Sequence, residues 1–207
     1  MMASPLLLAL HSCSDRFGIA LQDPERSGAG PLLRVHPDGR GLSNSLIARV
    51  EELLSPERWP QLQGLAVATG PGGFTGTRLT VVMARTLAQQ LGCPLLGVSS
   101  YALMAPRLEQ QLPPSMQGQP FWITQELPRR GVVGGHYQIT FGQVHELSLP
   151  TLLPEGSSPQ PAVEAQLDVA EDVARLLQLL QRSHGSGEAL PWAPVLPIYP
   201  TSPVGAV

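Results

Sequence analysis

Apolar residues open this chain in short blocks. Leu6 to Leu10, Phe17 to Gln22 and Leu32 to His36 are brief apolar or alternating runs parted by polar turns, the pattern of consecutive antiparallel strands in a meander. Ser43 then precedes a segment to Leu54 in which Leu46, Ile47, Val50, Leu53 and Leu54 share an arc of roughly 120°, which predicts a helix capped by Ser43 with one buried face. Gly64 to Thr69 is apolar without alternation, as a strand buried on both faces in the parallel part of an α/β sheet would be. The next periodic segment, Thr77 to Leu91, is wider: Leu79, Val81, Met83, Ala84, Leu87, Ala88 and Leu91 occupy roughly 200° of the helical wheel, and Val82 adds an apolar residue on the polar side. One face against a sheet needs only about 100°. The surplus predicts a second packed surface, with Ala84 and Ala88 allowing close approach of another helix. Either a partner's helix or the chain's own helical segment near Tyr101 to Leu108 would cover it. Gly92 and Pro94 end the helix, and Leu95 to Val98 follows as another buried strand.

A Pro/Gln-rich link, Gln110 to Pro120, leads to a second series of strands at Phe121 to Glu126, Val132 to Phe141 and Gln143 to Leu149. The second half of the chain therefore begins as the first does. Pro150 to Pro161 reads as a Pro/Ser loop, and Val163 to Arg182 as a helix with an apolar stripe of Leu167, Val169, Val173, Leu176, Leu177 and Leu180. The proline-rich tail, Ala189 to Val207, offers at most a short strand at Val195 to Tyr199. These divisions predict a lobe over 1–109 and a smaller one over 110–207, the latter lacking a full strand-helix-strand continuation.

With 207 residues, 43% of them hydrophobic, the chain can build a substantial core. Formal net charge is −3, and the 13 basic residues are all arginine, dispersed except for Arg129-Arg130, which reads as a solvated turn before a strand. Proteins that grip a nucleic-acid backbone unaided concentrate positive charge, so direct tight binding to RNA or DNA is disfavoured. Cys13 and Cys93 lie beside apolar segments as small core residues, and neither forms a zinc-spaced cluster. The opening apolar stretch is too short to cross a bilayer and lacks a basic flank, which predicts a cytoplasmic protein with reduced thiols.

The densest chemical signal is Gly70-Pro71-Gly72-Gly73-Phe74-Thr75-Gly76-Thr77-Arg78, a glycine turn joining a strand to a helix that Thr75 or Thr77 could cap. Backbone N–H groups of Gly70, Gly72, Gly73, Thr75 and Gly76 could hold an anion at the helix start. The same turn could instead serve close packing of two surfaces. It lacks the lysine of a P-loop, since the chain has none, and Gly-x-Gly-x-x-Gly fails at Thr75. Neither a cofactor nor a metal is called for. His11, His36, His136, His145 and His184 never fall at H-x-x-x-H spacing, and no nucleophile constellation is visible around Ser99-Ser100.

The glycine run, the later Val98-Ser99-Ser100-Tyr101-Ala102-Leu103, the opening Leu8-Ala9-Leu10-His11-Ser12-Cys13-Ser14, and Arg129-Arg130-Gly131 with Tyr137 together resemble the bacterial TsaB (YeaZ) family, glycoprotease-like (M22-like) paralogues of TsaD. The resemblance implies an α/β fold of the actin/hexokinase/Hsp70 class, two ribonuclease-H-like lobes with the second one shortened. It also implies a role in making threonylcarbamoyladenosine beside the tRNA anticodon, as a non-catalytic subunit that supports the catalytic TsaD. The ATPase TsaE would join the assembly, tRNA would be met only indirectly, and the isolated chain could self-associate as a homodimer. Pairing in that family runs through helices of the first lobe, which makes Leu79, Val82, Met83 and Arg85 the expected contacts here. The family usually carries aspartate where this chain has His11, which reads instead as a turn histidine with its hydrogen bonds satisfied. An enzyme of another class, a nucleotide-binding phosphotransferase or a peptidase working at the glycine turn, is the alternative.

Overall fold

The computed structural model describes residues 5–26 and 30–200. The first meander consists of β1 (Leu7–His11), β2 (Phe17–Gln22) and β3 (Leu32–His36), paired antiparallel. After α1 (Leu42–Glu51), β4 (Gly64–Ala68) joins the other side of β1 in parallel. Helix α2 (Phe74–Leu91) then crosses over to β5 (Leu95–Val98), parallel to β4, so the sheet runs β3-β2-β1-β4-β5. Helix α3 (Ser100–Glu109) leads to the second meander, β6 (Phe121–Leu127), β7 (Gly131–Thr140) and β8 (Gln143–Leu152). A short strand, β9 (Ala162–Glu164), pairs in parallel with β6, and α4 (Val169–Ser186) follows. The second sheet, β8-β7-β6-β9, repeats the order of the first without its fifth strand.

Each central strand divides its side chains between two cores, because successive residues of a strand point to opposite faces. Leu8 and Leu10 of β1 and Leu65 and Val67 of β4 meet α1 and α2 through Leu46, Val50, Val81, Ala84 and Ala88. Leu7, Ala9, Ala66 and Ala68 face the other way, onto Val173, Leu176, Leu177 and Leu180 of α4. A third cluster joins Tyr101, Met104 and Leu108 of α3 to Phe121, Ile123, Val133 and Tyr137 of the second sheet. Four layers result: α1 with α2, the first sheet, α4 with α3, and the second sheet.

Several local expectations are corrected. Helix α1 begins at Leu42 after Gly41 and has no side-chain cap, and it stops at Glu51. Helix α2 starts at Phe74, three residues before the expected start, so Thr75 and Thr77 lie inside it and Gly73 occupies the capping position. The expected helix from Val163 is a strand there, because residues 162–164 pair with β6, and the helix begins only at Val169 behind its cap Asp168. Part of the expected loop at Pro150 belongs to β8, an edge strand that tolerates the missing N–H of proline. The tail up to Pro200 contains no strand, and the remaining tail residues lie outside those described. Segment Tyr101 to Leu108 does not cover α2: α3 lies on the opposite side of the first sheet, against β6, β7 and β8. Among the described residues no helix is long and apolar enough to cross a membrane.

Candidate docking face and glycine turn

The glycine turn is built for contact with the turn after β1. A Cβ at Gly72 would overlap the Cys13 carbonyl oxygen and lie 2.5 Å from the Cys13 Cα, so only glycine fits there. The Gly73 N–H donates to that same carbonyl oxygen at 3.2 Å. Gly70 has φ 104°, a conformation that a β-carbon opposes, and its carbonyl accepts from the Ser100 N–H at 2.7 Å. One member of the expected anion set, Gly73, thus has its N–H turned into the fold. Thr77 and Thr80 continue the junction: the Thr77 hydroxyl donates to the Ser12 carbonyl oxygen at 3.4 Å, and the Thr80 and Ser12 hydroxyls are 2.6 Å apart.

Ser99 and Ser100 form a two-sided tie. The Ser100 hydroxyl donates to the Pro71 carbonyl at 2.7 Å, holding the glycine turn. Ser99 caps α3 by accepting from the Ala102 N–H at 3.0 Å and donates its own proton to Glu146 on β8. Tyr137 donates to the same carboxylate at 2.7 Å, and burial raises the phenol's pKa. Two adjacent serines therefore fasten the first sheet's turn and the second sheet to one helix end.

Between the glycine turn and the second meander lies a cleft of about 790 Å³, bordered by Ser14, Gly72 and Phe74 on one side and Gln125, Arg130 and Val133 on the other. Cys13 reaches its wall, but burial pushes the thiol up to about 12, far from the thiolate a nucleophile needs. His11 is the last residue of β1 and not a turn residue. It is fully buried, and among the described residues neither ring nitrogen has a hydrogen-bond partner beyond its own backbone, so the expectation of a satisfied histidine is corrected. Burial pushes it down to about 4, leaving it neutral near pH 7. On α4, burial pushes Asp172 up to about 6 although the Arg107 guanidinium stands 3.3 Å away. Among the described residues, no three His, Cys, Asp or Glu side chains converge as a metal site requires.

The four expected contacts on α2 separate. Val82 is 52% exposed, whereas Leu79 and Met83 are half-buried against the outer core. Arg85 donates to the Val195 carbonyl at 2.6 Å and lies 5.5 Å from the Trp192 ring centre. Ala84 and Ala88 are fully buried in the core shared with the sheet, so they bring α2 onto its own strands. The exposed apolar surface here is Ile47 on α1 with Phe74 and Val82 on α2, extended by Leu196 and Tyr199 of the tail. Periodicity could not have found the last two, because a proline-rich tail has no helical or strand period.

A family model described as TsaD, tRNA N6-adenosine threonylcarbamoyltransferase, matches residues 40–117, the span that holds α1, the glycine turn, α2 and α3. The tRNA threonylcarbamoyladenosine biosynthesis protein TsaB of Bacillus subtilis (strain 168) is 46% identical over 44 residues, 21% of this chain and 19% of that protein. YeaZ from Pseudomonas aeruginosa superposes with a TM-score of 0.67 at 21% identity, over 94% of this chain and 99% of its own. Over nearly its whole length the chain is similar in fold to YeaZ. A second Pseudomonas aeruginosa structure, of an uncharacterized protein with similarity to peptidase YeaZ, gives a TM-score of 0.69 at 21% identity over 95% of this chain and all of the other. The actin/hexokinase-like architecture expected of the TsaB family is met by the repeated strand order of the two sheets. The sequence match to the curated TsaB covers about a fifth of that protein's length, so likeness across the whole chain is a likeness of fold.

Proposed function

We propose that this chain is a non-catalytic subunit in the formation of threonylcarbamoyladenosine on tRNA, in the cytoplasm, holding a catalytic TsaD paralogue in a productive state. The observation that carries the reading is the exposed apolar surface of α1 and α2, centred on Val82, within the segment matched by the TsaD family model. Helix α2 stands on the rigid first sheet, fixed by Ala84 and Ala88 beneath and by the glycine turn at its start. A partner with an equivalent helix pair could complete a four-helix contact, each fully buried side chain contributing roughly 1.5–3 kcal/mol before association costs. Without the partner, the same surface would favour a homodimer. The glycine turn serves this role by close packing, since the Gly72 position and the Gly73 N–H are both committed to Cys13. TsaE would join the paired proteins, and tRNA would be held chiefly by the partner.

The test is co-purification with TsaD from the same organism and an assay of threonylcarbamoyl transfer to tRNA by each protein alone and both together. Activity that requires both, and that Val82→Asp removes while the isolated chain keeps its circular dichroism and melting temperature, is the expected result. Full activity of TsaD without this chain would overturn the proposal. Met83 is a poor site for the same substitution, because its packing against the core would confound pairing with folding.

A further inference from the structure

Residues 190–200 cross the edge of the first sheet and run along α2 as a continuous strap. The Leu95 N–H donates to the Leu190 carbonyl at 3.0 Å, and the Ile198 N–H donates to the Thr69 carbonyl at 2.7 Å. Val195 fills the space beside Gly97, where a Cβ would lie 2.8 Å from its methyl group. Arg85 grips the Val195 carbonyl, and the Phe74 and Tyr199 rings are 5.2 Å apart. The strap is thus anchored at β5, at the middle of α2 and at the glycine turn.

It extends the apolar surface of α2 and does not mask it. Phe74 and Val82 stay 44% and 52% exposed with the strap in place, and Leu196 and Tyr199 add exposures of 61% and 40% beside them. Between strap and helix runs a groove of about 310 Å³ bordered by Phe74, Val82, Leu196 and Tyr199. Its charged lining residues are Arg78 and Arg85. Arg85 is turned to the strap, whereas Arg78 is exposed and makes no ion pair among the described residues. Arg78 and Val82 are four residues apart, one helical turn, so they lie on one stripe of α2.

We propose that the strap is one wall of the docking face, and that the groove receives an apolar side chain from a partner helix that carries a carboxylate one turn away to meet Arg78. This rests on the reading of α2 as the face that pairs with the catalytic paralogue. Charge complementarity selects the occupant: an apolar groove whose rim carries, among the described residues, one cation without an ion pair fits a helix bearing an apolar residue next to an acidic one, and repels a basic helix. Arg85, expected at the interface, instead fastens the strap.

Calorimetric titration of TsaD from the same organism into the wild type, Val82→Asp, Leu196→Asp and Arg78→Glu tests this, with thermal melts of each variant. Leu196 and Arg78 are exposed, so their variants should melt as the wild type does. The expected result is loss of measurable binding for Val82→Asp, with at least tenfold weaker binding for Leu196→Asp and for Arg78→Glu. Arg78→Glu should also flatten the salt dependence of binding. If Val82→Asp abolishes binding while Leu196→Asp and Arg78→Glu bind as the wild type does, the strap inference fails and the α2 reading stands. If the wild type does not bind TsaD, both fail.

Discussion

His11 concentrates the physical tension of this fold in one side chain. A fully buried imidazole whose nitrogens find, among the described residues, no partner beyond its own backbone costs about 1–3 kcal/mol relative to an apolar group of its shape, so His11→Leu should leave stability at pH 7 unchanged or raised. The pH dependence has a definite sign. With the folded value near 4 and the unfolded value at 6.5, the unfolded chain takes up its proton first, and stability falls as pH drops through that window. Asp172 works in the opposite sense, because its folded value near 6 lies above 3.8 and the folded chain binds the extra proton as pH falls. Comparing wild type with His11→Leu cancels the Asp172 contribution. Between pH 6.5 and 4 the wild type should lose about 3 kcal/mol relative to the variant, at about 1.4 kcal/mol per pH unit, in urea unfolding. Parallel stability curves for the two proteins would refute the assignment. The sequence marked His11 as unusual but not as buried and unpaired, since that depends on α4 closing over β1, a contact from the far end of the chain. Gly72 was more legible: a glycine cluster announces close approach, though not that Cys13 is what it approaches.

At the scale of elements, the strands of the first sheet and the span of α2 to Leu91 followed from apolar runs bounded by glycine and proline. Starts were harder. Ser43 looked like a cap, but Gly41 holds that position, and hydroxyl residues are common enough in first turns to mislead. The error over residues 162–168 has another cause. Ala162 to Glu164 carries no pattern long enough to identify a strand, and it becomes one only because β6 offers an edge to pair with. The true start of α4 is marked by Asp168, whose side chain accepts from the Glu171 N–H at 3.0 Å, with Glu171 and Asp172 in the first turn. Asp168→Ala should therefore destabilise the chain by about 1 kcal/mol and accelerate hydrogen exchange in the first turn of α4. Glu164→Ala should leave that exchange unchanged, since Glu164 belongs to β9. Were the helix to begin at Val163, the two substitutions would act with the reverse ranking.

Over the whole molecule, α4 decides whether the two halves of the chain behave as one body. Its amphipathic stripe was plain in the sequence, but periodicity says only that a helix needs an apolar surface, not which sheet supplies it. The helix follows the second sheet in the chain and packs on the first, burying Val173, Leu176, Leu177 and Leu180 against the inner faces of β1, β2 and β4. Four such side chains contribute about 6–12 kcal/mol at roughly 1.5–3 kcal/mol each, comparable to the whole net stability of a domain, about 5–15 kcal/mol. Helix α3 adds to the coupling, because Ser100 holds the glycine turn while Ser99 and Tyr137 hold Glu146 of the second sheet. Neither sheet can then lose its helices without exposing the core of the other. The chain should unfold in one calorimetric transition with van't Hoff and calorimetric enthalpies in agreement. A fragment ending at Glu164 should fail to show a cooperative melt, since the inner face of its first sheet would lie open to water. Two resolved transitions in the full chain, or a cooperatively melting fragment, would show that the lobes hold themselves together separately and that α4 only lies across them.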